Sequence, residues 1–495
     1  MSPPLTKLYI NGQWVPSSTG ETFEVRNPYS GEVVGLSSSA SSADCKAAVE
    51  ASAEALKTWQ HTPLTVRRDI FLKAAQILQG EKYKAKIEQA IQEETAAAEY
   101  WATFNWAAPI NTLKTQAGSL ALLNGEFYPS GSVPGAQVIA RRRPMGVVFG
   151  IAPWNAPVAL ALRAIMVPIL SGNTTVLKGS EFSPRSQSIV VELFEEAGLP
   201  AGVINFISIS PKDTPALTAE IIAHPAVKCI NFTGSDRVGK IIAMEAAKFL
   251  KPCVLELGGK APVICFITAQ VLNDADVEEA ARVIVSGSMS NSGQICMAST
   301  RVIVQSGAAD TLISHIKQRV AALRAGDVQN DKGVSLGPLF TEASAKNAIS
   351  TVKDALDNGA ELILGDLAVS KAVVQPHLVG NVKPGTRLWD RETFAPVLSF
   401  AVVDTVDEAV DMANASEYSL SSAIWSNDVW AAQNIATRIN SGYCNVNGPT
   451  VHSEPIDSLV GLGGPSGYGR FHVESFTHKC VTVVHPLGRK LPLVG

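Results

Sequence analysis

Residues 291–300 read NSGQICMAST, and Cys296 follows small and polar residues rather than lying inside an apolar strand. A free thiol is a few per cent thiolate at neutral pH, and that fraction is strongly nucleophilic. The other six cysteines fall in strand-like runs (Cys229, Cys253, Cys265, Cys444, Cys480) or in a helical one (Cys45). Cys296 alone sits where a flexible SGQ turn can present it, although composition by itself leaves a buried, inert cysteine open. Glu256, in CVLELGGK, lies in an apolar run ahead of Gly258 and Gly259. Half-buried there, a glutamate gains a raised pKa and can serve as a general base near neutrality; the other reading is an edge-strand carboxylate in water. The glycine pair implies that some other group approaches the backbone closely. Asn155, between prolines in APWNAP, can donate its amide to a developing oxyanion, or serve as an ordinary turn residue.

A second group of residues suits a dinucleotide. The GxGxxG fingerprint is absent. In its place FTGSDRVGK follows a strand and runs into a helix, with Gly234 and Gly239 bracketing the turn. The free N–H groups and dipole of a helix N-terminus favour a pyrophosphate; a serine-capped strand-to-helix turn would look the same. Lys178 and Glu181, in NTTVLKGSE, end another strand where a ribose would lie. A carboxylate there accepts both ribose hydroxyls and repels an added 2′-phosphate, and the alternative is a solvated charge pair.

The elements that must position these residues emerge along the chain. Residues 41–59 and most of 63–100 predict amphipathic helices. From about 146, the apolar runs GVVFGIAP, NTTVLKGS, GVINFIS and KCINFTGS alternate with helical segments at 185–197 and 215–223. Such alternation predicts a parallel sheet covered on both faces, a doubly wound arrangement that binds ligands beyond the carboxyl ends of its strands. A second series starts near 254 with CVLELGG, APVICFI, a helix in VEEAARVIVSGSMS, the strand TRVIVQ and a helix over 308–324. A long loop-rich region over 326–400 precedes helices at 406–414 and 429–440. AQVIARRRP (136–144) and KCVTVVHP (479–486) read as strands outside either core, candidates for an arm that packs on another subunit.

Bulk properties narrow the classes. The chain has 495 residues, 46% of them hydrophobic and 17% charged, enough for two or three domains. A net charge of −4 offers no general attraction for nucleic acid or anionic lipid. The stretch 146–170 mimics a membrane span but carries Pro153, Asn155, Pro157, Arg163 and Pro168, so it reads as a buried strand, a loop and a buried helix. Seven dispersed cysteines with no CxxC, behind an N-terminus without a signal-peptide pattern, predict reduced thiols and a cytoplasmic enzyme. His472, His478 and Cys480 lack a fourth ligand at metal-site spacing, and no metal is expected.

In order, PWN, LKGSE, FTGSxxxG, LELGGK, GQICMAS and RETFAPV strongly resemble the aldehyde dehydrogenase superfamily, end to end from LYINGQWV to SGYGR. The resemblance implies a Rossmann-like, doubly wound parallel-sheet cofactor domain (1–124 and 145–254), a second α/β catalytic domain (255–466) and a small β oligomerisation arm (125–144 and 467–495). It implies Cys296 as nucleophile, Glu256 as general base, and Asn155 with the Cys296 N–H as oxyanion hole. Around the cofactor, NAD with NADP possible, it places Ile151, Pro153, Trp154, Lys178, Glu181, Gly234, Ser235, Val238, Gly239, Leu257, Glu392 and Phe394. A homodimer or homotetramer follows from the same likeness.

Within the superfamily, AHPAVKCINFTGSDRVGK, LKPCVLELGGKAP, GQICMAST and NVNGPTVHSEP look most like salicylaldehyde and vanillin dehydrogenases, which oxidise aromatic aldehydes. The helix after Asn155 would line the substrate tunnel, making Leu160 and Arg163, three apart on one face, substrate candidates with Ile295 and Met297. Arg163 would pair with a phenolate or carboxylate of the substrate, or else form a salt bridge at the domain boundary. Gly179, Arg391 and Ala395 depart from the family's usual residues, and the segment after Arg470 is about four residues shorter than in relatives, a comparison that rests on the resemblance alone. The alternatives are an aliphatic or semialdehyde dehydrogenase of a biosynthetic pathway and a silent structural or binding relative. An acyl-phosphate reductase should lack Glu256, and a cysteine protease would need a histidine near Cys296.

Overall fold

A computed structural model describes residues 3–265, 274–456, 459, 461–489 and 493. Its centre is an eight-stranded sheet in the order Gly467–Tyr468, Cys253–Glu256, Val227–Thr233, Val147–Ile151, Thr174–Lys178, Ile204–Ile207, Leu8–Ile10 and Gln13–Val15. The middle five strands run parallel. Val147–Ile151 and Thr174–Lys178 are buried at every position, as a sheet covered by helices on both faces requires. From Val147–Ile151 the chain adds strands first to one side and then to the other, so strand order reverses beside this strand. Ligands of doubly wound sheets bind at that switch point. Register aligns the strand ends there: Ile151 pairs with Lys178, Phe232 with Ile151 and Thr233 with Glu256.

Pro157–Leu170 follows the switch-point strand. Proline stands at its first helical position, where the missing N–H costs nothing. Eleven of its fourteen residues are buried, since it packs between sheet and neighbouring helices. The 146–170 stretch is thus a strand, a loop and a buried helix, and no helix among the described residues is long and apolar enough to cross a membrane.

A seven-stranded sheet forms the second layered unit, in the order Glu361–Leu364, His377–Gly380, Val397–Val403, Ser299–Gln305, Ala261–Cys265, Ser421–Trp425 and Tyr443–Val446. Of two three-stranded sheets, one orders Leu5–Thr6, Val33–Ser38 and Thr22–Arg26; the other is antiparallel: Glu126–Pro129, Gln137–Pro144 and Thr477–Val484. It joins the two segments expected to lie outside the cores.

Two expectations need correction. Cys253–Glu256 does not open the second series. It pairs with Val227–Thr233, straddles the boundary expected at 254/255, and sends Leu255 into the core of the first sheet. Gly467–Tyr468, expected in the arm, pairs with the same strand. The region 326–400 is loop-rich as expected, but it also holds the helix Glu342–Asp357, capped by Thr341, whose hydroxyl accepts from the Ser344 N–H, the strands Glu361–Leu364 and His377–Gly380, and the start of Val397–Val403. The buried face of that helix is Ala345, Ala348, Ile349, Thr351, Val352 and Ala355, of which only Ile349 and Val352 are large and apolar.

Candidate active site

Three segments converge on the carboxyl edge of the first sheet. Glu256 ends its strand with only 1% of its surface exposed. Cys296 arrives from the second unit on a loop after the helix Asp274–Met289, through Asn291, Ser292 and Gly293, all with positive φ. Three left-handed residues in succession fold the chain sharply back, and two of them lack glycine's freedom. A side chain on Gly293 would overlap the Ala395 carbonyl, and one on Gly259 would overlap the Cys296 carbonyl oxygen. The backbone approach anticipated at the glycine pair is therefore made, at Gly259, by the loop that carries Cys296.

Asn155 lies buried beside this loop. Its side-chain Nδ2 donates to the Gln294 backbone carbonyl at 3.0 Å, and its backbone carbonyl accepts from Trp101 Nε1 at 2.7 Å and Asn291 Nδ2 at 3.2 Å. The Gln294 bond orients the amide and leaves its second N–H for a ligand, while the other two hold the backbone beneath it. Gln294, Asn291 and Trp101 were not singled out in the sequence, because nothing local marks a residue that orients a distant partner.

Burial pushes the Cys296 thiol well up, and the neighbouring Glu256 charge adds to it, while Arg163 pulls it down. Arg163 pairs through Nη2 with Glu256 Oε2. The same nitrogen donates to Thr233 Oγ1 at 3.2 Å, and the guanidinium lies over the Phe471 ring, 4.5 Å from its centroid. Of the two readings of Arg163, the structure contains an ion pair, with the base candidate as partner. Leu160 and Met297 pack against a buried cluster that includes Ile295 and Phe471. Phe471 carried no sequence signal, being far along the chain and outside any periodic run.

The cofactor candidates spread along the same edge. Ser235 caps the helix Asp236–Ala247, its hydroxyl accepting from the Val238 N–H at 3.4 Å. A Cβ on Gly239 would overlap Leu257, so helix and strand end meet where only glycine fits. Gly234 is confined by the Phe232 ring. Lys178 is buried and donates to the Gly179 carbonyl at 2.9 Å, with Glu181 at 4.0 Å; burial lowers its pKa and Glu181 opposes that. Ile151 and Pro153 lead into Trp154, whose ring stacks on Phe340 and meets Phe394 edge-on. Pro153 accepts from Gln187 Nε2 at 2.8 Å. Phe394 has φ of 52°, and Glu392 accepts from the Gly259 N–H at 3.0 Å. Burial raises the Glu392 carboxyl to about 8, although the Gly259 bond favours its charge.

The fold and this edge define a doubly wound enzyme with a cysteine, a buried carboxylate and an orienting amide at one site. Residues 14–485 match the model of the aldehyde dehydrogenase family. A vanillin dehydrogenase of Pseudomonas fluorescens is 41% identical over 95% of this chain and 96% of its own. A salicylaldehyde dehydrogenase of Pseudomonas putida is 36% identical over 98% and 99%. The solved structure of a salicylaldehyde dehydrogenase from Pseudomonas putida G7, complexed with salicylaldehyde, superposes with a TM-score of 0.93 at 35% identity, covering 99% of this chain and 100% of that one. The chain belongs to the aldehyde dehydrogenase family. It is an NAD(P)-dependent aldehyde dehydrogenase.

Proposed function

We infer that the enzyme oxidises an aromatic aldehyde to its carboxylic acid, with Cys296 as nucleophile, Glu256 as general base and Asn155 as oxyanion donor. The observation that carries this is the meeting of these three residues, distant in sequence, at the switch-point edge. The apolar group of Leu160, Ile295, Met297 and Phe471 suits a ring, and the relatives named for vanillin and salicylaldehyde support the class. The site also suits a dinucleotide: glycine-only packing at Gly239 brings a capped helix N-terminus to the strand ends, and Lys178 and Glu181 stand at the neighbouring end. Lys178 and Glu181 would hold the adenine ribose, Gly234, Ser235 and Val238 the pyrophosphate, and Glu392 and Phe394 the nicotinamide ribose. Ile151, Pro153, Trp154 and Leu257 would line its path. Glu181 favours NAD, because a 2′-phosphate beside it would be repelled.

The Cys296 thiolate attacks the aldehyde carbon, and Asn155 with the Cys296 N–H donates to the new oxyanion, which they bond best in the tetrahedral state. A bound nicotinamide supplies the hydride acceptor that turns the thiohemiacetal into a thioester. Glu256 then takes a proton from water as its oxygen bonds to the thioester carbon, and C–S cleavage returns the electron pair to Cys296. We assign the first sheet to the cofactor, the second to catalysis, and the antiparallel three-stranded sheet to assembly of a homo-oligomer.

The test is NAD(P)H formation across benzaldehyde, salicylaldehyde, vanillin, aliphatic aldehydes and a semialdehyde, with wild type beside Cys296→Ala. Cysteine-dependent turnover favouring the aromatics is expected. Turnover confined to aliphatics or a semialdehyde would sink the aromatic assignment and keep the mechanism. A higher kcat/KM with NADP than with NAD would reverse the cofactor preference.

A further inference from the structure

We propose that Arg163 is a positioning residue for thioester hydrolysis: it pins one oxygen of Glu256 and leaves the other oxygen for the attacking water. This rests on the roles given to Cys296 and Glu256 above. Three contacts hold the guanidinium: Glu256 Oε2, Thr233 Oγ1 and the face of Phe471. Glu256 Oε1 is buried with no hydrogen-bond partner, and so is Arg163 Nε, while the Cys296 thiol lies against the same carboxyl. A buried carboxylate oxygen without a partner is costly unless something is meant to occupy its lone pairs. A guanidinium so engaged is poorly placed to serve chiefly as an anchor for a substrate anion.

The balance of charges calls for such a cation. Facing Glu256 are Arg163 from the helix Pro157–Leu170, Cys296 from its loop, and Glu392 from the loop before Phe394, with Lys260 and Asp236 acting on Glu392 from behind. Among these groups only Arg163 contacts Glu256 with opposite charge, and a hydrogen-bonded guanidinium fixes the orientation of a carboxylate. Replacing it leaves the carboxylate without its one cationic contact.

Hydrolysis of p-nitrophenyl acetate without cofactor separates the steps: the nitrophenolate burst reports acylation of Cys296, and the steady state reports deacylation. For Arg163→Met we expect the burst amplitude to persist while the steady-state rate near neutrality falls about 10- to 100-fold. It should recover at higher pH, the acid limb having moved up by about 1–3 units. Arg163→Lys, which keeps the charge, should hold the limb close to wild type. A burst in wild type with an unmoved limb in Arg163→Met overturns this inference alone, as does a KM effect confined to anionic aldehydes. A folded Arg163→Met protein without a burst also overturns it, since the residue would then serve acylation. Should Arg163→Met not fold, Arg163→Gln and Arg163→Lys carry the same comparison. A wild type with no Cys296-dependent burst overturns the proposed function and this inference together.

Discussion

The strand end that carries Glu256 and the loop that carries Glu392 face each other across Gly258 and Gly259, and they treat a buried carboxylate in opposite ways. Glu256 meets a guanidinium that is itself gripped by a hydroxyl and an aromatic face. Glu392 meets one backbone N–H, with Lys260 near enough to favour its charge and Asp236 and Glu256 opposing. Lys260 is itself buried, its amine lowered to about 7. The first environment anchors one carboxylate oxygen with a cation. The second leaves a carboxyl that burial raises to about 8. The difference suits the roles proposed for them, a base held in one orientation and a ribose-binding residue that awaits its ligand.

The sharpest way to break this comparison is to remove the proposed nucleophile, Cys296, which feels both carboxylates. Cys296→Ala should lower aldehyde oxidation by roughly 10⁴-fold or more while leaving dinucleotide binding, measured by calorimetry, in place. Glu256→Gln comes next: it should slow turnover by about 10²- to 10⁴-fold while the ester burst survives, and a lost burst would remove it from deacylation. Gly259→Ala forces a methyl into the Cys296 carbonyl. It should cost about 1–3 kcal/mol in denaturant unfolding and displace the nucleophile, lowering kcat more than it raises KM.

Glu392→Gln tests the other side. Glu392 titrates near 8 in the folded chain against an ordinary 4.5, so its folded-state pKa is raised. The unfolded chain releases this proton first, and wild-type stability falls as pH rises from about 4.5 to about 8. Glutamine removes that loss. The melting-temperature gain of Glu392→Gln over wild type should therefore widen across this window, and a constant difference would refute the assignment. The smallest effect belongs to Cys480→Ser in the antiparallel three-stranded sheet, partly exposed and outside the site, which should change stability by within about 0.5 kcal/mol and leave turnover alone.

The sequence by itself determined the alternation of apolar strands and helices, and with it the doubly wound sheet, because a strand buried on both faces must be apolar throughout. Val147–Ile151, Thr174–Lys178 and Val227–Thr233 were legible in this way, and so were the motifs carrying Cys296, Glu256, Asn155 and the phosphate-side glycines. The helix Glu342–Asp357 was not, since only Ile349 and Val352 on its buried face are large and apolar. The sheet that receives Cys253–Glu256 was not either, because an apolar strand satisfies its backbone equally well beside any partner. Only the tertiary structure decided that Arg163, from a helix 93 positions upstream, pairs with Glu256, and that Phe471 closes over it. Periodicity records which face of an element is buried; it does not record which charges meet once separate elements have packed.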